Sequence, residues 1–230
     1  MLNGQGPEKA PSSLAAKNLR GAQRLVVVTT AAWDSVDGNM QKYERRSGKW
    51  VKVGEPFPVV VGAKGLGWDP GMGMTGGPVK HEGDGRSPAG VFDLGEVFGF
   101  GEKAPSARKY LTLTSATECV DDVRSEHYAH IVDRSKVSKA DWNSSEKMRD
   151  IDVYKLGMVV NYNLAPTVPA NGSCIFLHIW RGTGRGTAGC TAMDQARLAE
   201  LVTWIGNEKA VLVQLPEREY ERVKKGWGLP

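Results

Sequence analysis

The stretch CIFLHIWRGTGRGTAGCTAM, residues 174–193, decides the fold class. Residues 173–180 are a short run of bulky apolar side chains and predict a buried strand. Alternate residues of a strand share a face, so Cys174, Phe176 and His178 point one way and Ile175, Leu177 and Ile179 the other. Gly182, Gly184 and Gly186 then mark a turn. Cys190 follows, ahead of a predicted helix over 192–205 whose Leu198, Leu201, Val202 and Ile205 form one apolar face. An imidazole at a strand end and a thiol at a helix start suit thiol catalysis. A free thiol is mostly protonated at neutral pH, and a helix N-terminus or a nearby imidazole lowers its pKa. Backbone groups of the turn, with Gly189 and Ile179 as the candidates, would hold an oxyanion. The other ring nitrogen of His178 needs an orienting acceptor. The motif holds no Asp or Asn, so a backbone carbonyl of the turn is the candidate.

Outward from this stretch the chain reads as β-rich. Residues 24–30 are a β-branched run. Residues 39–45 and 49–53 flank the Ser47-Gly48 turn signal as a hairpin. Further strands are expected at 57–61, 90–94, 110–114, 157–163 and 210–215. Residues 62–90 form a long glycine-rich loop of the kind that carries function. Residues 119–156 read as a lid-like insertion with weak helical character, best at 144–150. The expected fold is mainly β, a mixed sandwich or barrel-like domain with one main helix after Cys190 and irregular insertions. It lacks the regular alternation of a doubly wound fold. The expected organisation is a flexible tail over 1–21 and a single domain over 22–230.

Composition narrows the function classes. The 230 residues carry a net charge of +4 that is scattered along the chain, which gives no nucleic-acid footprint. No apolar run reaches the roughly 18 residues of a membrane span. Residues 1–20 lack the apolar core of a secretion signal. The glycines after His178 are not followed by the Lys-Ser/Thr of a phosphate-binding loop. His127 and His130 are three apart, with no second pair to complete a zinc site. Of the three cysteines, a free Cys190 leaves Cys119 and Cys174 either as a disulfide or as two buried reduced thiols. Trp180 is either core or a wall of the cleft.

Two separated segments carry a family resemblance. His178 with Thr187-Ala188-Gly189-Cys190 resembles the signature of the L,D-transpeptidase (YkuD-type) catalytic domain. Upstream, GDGRSPAGVF at 83–92 is similar to that family's second conserved segment through Gly83, Asp84, Gly85, Pro88, Gly90 and Phe92. The resemblance implies Cys190 as nucleophile and His178 as base, with no metal or cofactor. It implies peptidoglycan stem peptides as substrate. The thiol would attack the carbonyl of a diamino acid, release D-Ala and pass the acyl group to an amine. Passing it to water instead would make an L,D-carboxypeptidase, and loss of chemistry would leave a wall-binding module. The implied compartment is periplasmic or extracytoplasmic, with a secretion signal removed ahead of Met1. Two features depart from the family. The His-to-Cys spacing of twelve residues is short, and Ala192 stands where Arg or Asn is common. Arg181 and Arg185 are expected to supply the missing positive charge. Thr187, Trp180, Tyr128 and His127 are the other expected substrate contacts.

Overall fold

The computed structural model describes residues 13–103 and 106–230. Helix α1 (Ser13–Leu19) leads into β1 (Arg24–Thr30), β2 (Asp37–Arg46), β3 (Lys49–Val60), β4 (Leu66–Trp68) and β5 (Ser87–Gly99). Next come β6 (Tyr110–Thr112), β7 (Thr117–Val120), β8 (Ile131–Asp133), β9 (Ser145–Lys147) and β10 (Leu156–Val160). The chain closes with β11 (Phe176–Ile179), β12 (Thr191–Met193), α2 (Gln195–Ile205), β13 (Ala210–Pro216) and α3 (Glu217–Trp227). The protein is mainly β, as expected.

A ten-stranded sheet runs β10-β11-β12-β3-β2-β1-β13-β5-β4, with β6 as the tenth strand beside β5, and β10 also pairs with β5. That last pairing closes the path into a barrel, which removes the exposed edges of an open sheet. The first hairpin turns at Ser47 (φ 48) and Gly48 (φ 79). Two consecutive positive φ values match the twist of the strands on either side. The expected strands 49–53 and 57–61 are one strand, β3. A register shift opposite Met40 and Lys42 lets the chain bend near Gly54 (φ 65) while pairing with β2 continues.

The main core fills the barrel and extends under α2 and α3, with Leu25, Val28, Leu66, Phe92, Leu177, Leu201 and Leu212 all closed to solvent. The expected apolar face of α2 is buried at all four positions. Its start lies three residues later than expected, at Gln195, because Asp194 caps it by accepting from the amides of Ala196 and Arg197. Residues 192 and 193 belong to β12 instead. Helix α3, which the sequence reading did not anticipate, buries Tyr220, Val223 and Trp227.

Two further expectations change. Residues 1–12 of the expected tail lie outside the described residues, and Ser13–Leu19 is a helix packed on β5, with Asn18 donating to the Val91 carbonyl at 2.7 Å. The insertion forms no α-helix at 144–150. Its strands form a separate three-stranded sheet, β8-β7-β9, followed by two single 3-10 turns, Met148–Asp150 and Asp152–Lys155. This unit rests on the face of β5, β10 and β11 that points away from the main core. It makes a second core there, from Phe98, Leu113, Cys119, Met148, Tyr154, Val159, Cys174, Phe176 and Cys190.

Candidate active site

The short strands β11 and β12 lie side by side and parallel, with His178 opposite Ala192. Parallel neighbours need a crossover, and the glycine turn supplies it. The turn is tied back to the end of β3: Ala63 donates to the Thr187 carbonyl at 2.8 Å and Thr187 donates to Val61 at 2.9 Å. Cys190 therefore precedes a strand, not a helix, and the dipole of α2 starts beyond β12. The expected help from helix-end amides is absent from this position. The Gly189 N–H is already engaged, donating to Thr187 Oγ1 at 3.2 Å.

What fixes Cys190 is its own carbonyl, which accepts two hydroxyl hydrogen bonds. Thr187 Oγ1 donates at 2.6 Å and Ser87 Oγ at 2.8 Å. Ser87 in turn accepts from the Gly62 amide at 2.8 Å. The two conserved-looking segments thus meet on one peptide group. Thr187, expected to touch substrate, spends its hydroxyl on holding the Cys190 backbone. Behind Ser87, Asp84 takes Nζ of Lys80 at 2.6 Å and the amides of His81 and Arg86 at 2.8 and 2.9 Å. Burial alone would raise the Asp84 carboxyl, but these donors outweigh it and hold its pKa below the ordinary value.

His178 is 7% exposed. Its Nδ1 lies 2.7 Å from the carbonyl of Ile179. A carbonyl only accepts, so Nδ1 carries the proton and Nε2 presents a lone pair. The orienting acceptor is a backbone carbonyl, that of Ile179 at the end of β11. Burial drives the His178 pKa down to about 4, with Arg181 adding to the fall and the Ile179 hydrogen bond opposing it. The imidazole is neutral at physiological pH.

The sulfur of Cys190 faces the second core. The Phe176 amide donates to Sγ at 3.3 Å, and the thiol donates to the Cys174 carbonyl at 3.4 Å. Across the cavity that Cys190 lines, the Tyr154 hydroxyl donates to Glu146 Oε2 at 2.7 Å. Burial, with the Glu146 carboxylate adding to it, raises the thiol pKa far above its usual value. The expected low-pKa thiolate is therefore a neutral thiol in the resting site. Among the described residues no hydrogen bond joins His178 to Cys190; the edge of the Tyr154 ring meets the imidazole at 5.4 Å between centroids. Tyr154 and Glu146 escaped the sequence reading because no spacing ties them to Cys190.

Cys190 and His178 line one cavity of about 370 Å³. Trp180, Arg181, Arg185, Thr187 and Gly189 line it too, so Trp180 is a wall of the cleft. The glycine-rich loop contributes Lys80, Glu82 and Gly83, and the insertion contributes Asp121, Glu146, Ile151, Val153 and Tyr154. Tyr128 and His127 do not line it. Tyr128 is buried, donates to Glu82 and accepts from the Gly172 amide, so it braces the wall from behind. His127 packs edge-on against Trp142. Cys119 and Cys174 form a disulfide that pins β7 to the residues leading into β11. A second hollow of about 470 Å³, near Arg108 and Asn161, carries neither Cys190 nor His178.

Comparison with known proteins follows the same lines. Among curated proteins none matches the chain. Solved structures of the helical cell shape determining protein Pgp2 from Campylobacter jejuni are similar at 14% identity. One covers 86% of this chain and 49% of its own, with a TM-score of 0.44; the K307A mutant covers 88% and 53%, with a TM-score of 0.43. The chain spans about half the length of these structures. The model of the YkuD L,D-transpeptidase catalytic domain matches residues 36–213, and the chain belongs to that family.

Proposed function

We propose that this chain is a peptidoglycan L,D-transpeptidase in which Cys190 forms an acyl-enzyme with a stem peptide. The observation that carries the reading is the clamped carbonyl of Cys190, held by Thr187 and Ser87 from two distant segments in a cavity shared with His178. The thiol sulfur attacks the carbonyl of the diamino acid. The tetrahedral intermediate collapses to a thioester and expels D-Ala. An amine then attacks the thioester and restores the thiol. His178, neutral and with Nε2 free, is the base for these proton transfers. Arg181 and Arg185, both exposed at the cavity rim, offer a carboxylate of the substrate a charge-assisted contact.

The work of the family on wall polymer supports the periplasm or another extracytoplasmic space as this chain's compartment. The Cys119–Cys174 disulfide supports that, since such bonds persist in oxidising compartments. No helix among the described residues is long and apolar enough to cross a membrane.

Release of D-Ala from a tetrapeptide stem tests the reading. Wild type releases D-Ala, and an added amine diverts the product from hydrolysed stem to cross-linked or exchanged stem. Product that stays hydrolysed at every amine concentration identifies an L,D-carboxypeptidase instead. Cys190→Ala abolishes release, and His178→Ala lowers it by about 10²-fold or more. Release by Cys190→Ala at the wild-type rate rejects the proposal.

A further inference from the structure

Cys174 adopts a left-handed backbone conformation, with φ at 53°. A residue with a Cβ is strained there, so the surrounding structure must hold it in place. On its C-terminal side the chain is pinned. The Ile175 carbonyl accepts from the Val160 amide at 3.0 Å, and Phe176 of β11 pairs with Val159 of β10. At Cys174 itself the hold comes through the side chain, which is bonded to Cys119 of β7. Cys119 is closed to solvent, and its strand pairs with Ile131 on one side and Glu146 on the other.

The carbonyl aimed in this way meets the thiol. Cys190 donates to it at 3.4 Å, while the Phe176 amide donates to the same sulfur at 3.3 Å. These two contacts act in opposite senses. A carbonyl accepts from S–H but turns its negative end on a thiolate, so it favours the protonated form. An N–H favours the thiolate.

We propose that Cys174 is a positioning residue for Cys190: the Cys119–Cys174 disulfide holds the Cys174 backbone left-handed, and the carbonyl it aims latches the resting thiol in its protonated form. The thiolate is the species that oxidants and alkylating agents attack, so a latched thiol is guarded. That suits a lone free cysteine in a chain whose other two described cysteines are already oxidised. Released from the disulfide, Cys174 relaxes toward the extended region and its carbonyl turns away. Phe176 is held by strand pairing and keeps its N–H on the sulfur. The balance then moves toward thiolate. Burial raises the thiol in the same sense as the carbonyl, and the Phe176 N–H opposes both.

This inference rests on the reading of Cys190 as nucleophile, but its test needs no substrate. With Cys119 and Cys174 bonded or replaced, Cys190 is the only thiol an alkylating reagent can label. The experiment measures the iodoacetamide labelling rate by intact mass, from neutral to alkaline pH, in wild type, Cys119→Ser/Cys174→Ala and Cys119→Ser/Cys174→Gly. Both variants lose the disulfide. Glycine adopts a positive φ without strain and alanine does not, so only the glycine variant keeps the carbonyl aimed. Wild type is expected to label slowly at neutral pH, with a midpoint above the ordinary thiol value of about 8.5. The alanine variant labels roughly tenfold faster at neutral pH, the weight of one hydrogen bond, and its midpoint falls by about one pH unit. The glycine variant stays within about threefold of wild type, because its left-handed backbone needs no disulfide. General loosening of the fold would speed both variants alike, and that result overturns the latch. An alanine variant as slow as wild type overturns it too. Near-ultraviolet dichroism checks the fold. Should neither variant fold, the wild-type profile decides, since a midpoint at or below the ordinary thiol value rejects the latch. D-Ala release by wild type is measured separately, so failure of the latch and failure of the transpeptidase reading are distinguishable.

Discussion

His178 carries a stability signature that follows from its burial. Its folded pKa, about 4, lies below the ordinary 6.5, so the unfolded chain binds a proton that the folded chain refuses. Its full contribution is present above pH 6.5 and is lost as pH falls toward about 4. The difference amounts to about 3 kcal/mol. Glu146 works the other way: its raised pKa favours the fold at low pH, and that share is lost as pH rises through about 7. Comparing wild type with His178→Gln leaves Glu146 in both and isolates the histidine. Urea denaturation is expected to give wild type the steeper loss of stability between these pH values. Parallel curves for the two proteins would mean that His178 is not buried as a neutral ring. At this scale Cys190 and His178 were legible because their types and spacing sit inside one continuous stretch. The same stretch was misleading about the thiol. It promised a helix dipole, and the short strand β12 intervenes. Tyr154 and Glu146 were illegible because only packing of the insertion brings them to the cavity that holds Cys190.

Among elements, the glycine turn between β11 and β12 does more than connect them. A Cβ at Gly186 would lie 2.5 Å from the Ala63 Cα, so only glycine lets the turn lie against the chain leaving β3. Gly186→Ala should cost about 1–3 kcal/mol in chemical denaturation and slow D-Ala release, because Thr187 loses its alignment with the Cys190 carbonyl. Ala188→Ser, at an exposed position of the same turn, should leave stability near wild type. Equal stability of the two variants would contradict this packing. The readable elements had local signals: Ser47-Gly48 for the first hairpin and four apolar positions for α2. Helix α3 also had signals, in Glu217 and Glu219 at its start, Lys224 and Lys225 in its last turn and Gly228 at its cap. Its narrow stripe of Tyr220, Val223 and Trp227 is diluted by charge, which hid it. Strand β9 looked helical because its residues favour helix locally, and its strand pairing with β7 is non-local.

The whole molecule is a closed barrel with a second, smaller sheet laid over one face. The main core could be anticipated from apolar runs. The second core could not, because it joins strands of the barrel to an insertion with little apolar pattern of its own. The cavity opens where the two units meet, and the Cys119–Cys174 disulfide ties them together beside it. By the chain-entropy model that bond, closing a loop of 55 residues, adds about 4 kcal/mol. The insertion therefore acts as a fixed wall that supplies Tyr154 and Glu146, while the barrel supplies Cys190 and His178. The central claim is that this arrangement acylates Cys190. Intact-mass analysis after mixing the folded protein with a tetrapeptide stem tests it most directly. The expected result is a single adduct, the stem less D-Ala, mapped to Cys190 and absent from Cys190→Ala; a folded, reduced-thiol wild type that stays unmodified, or an adduct that persists in Cys190→Ala, would contradict it.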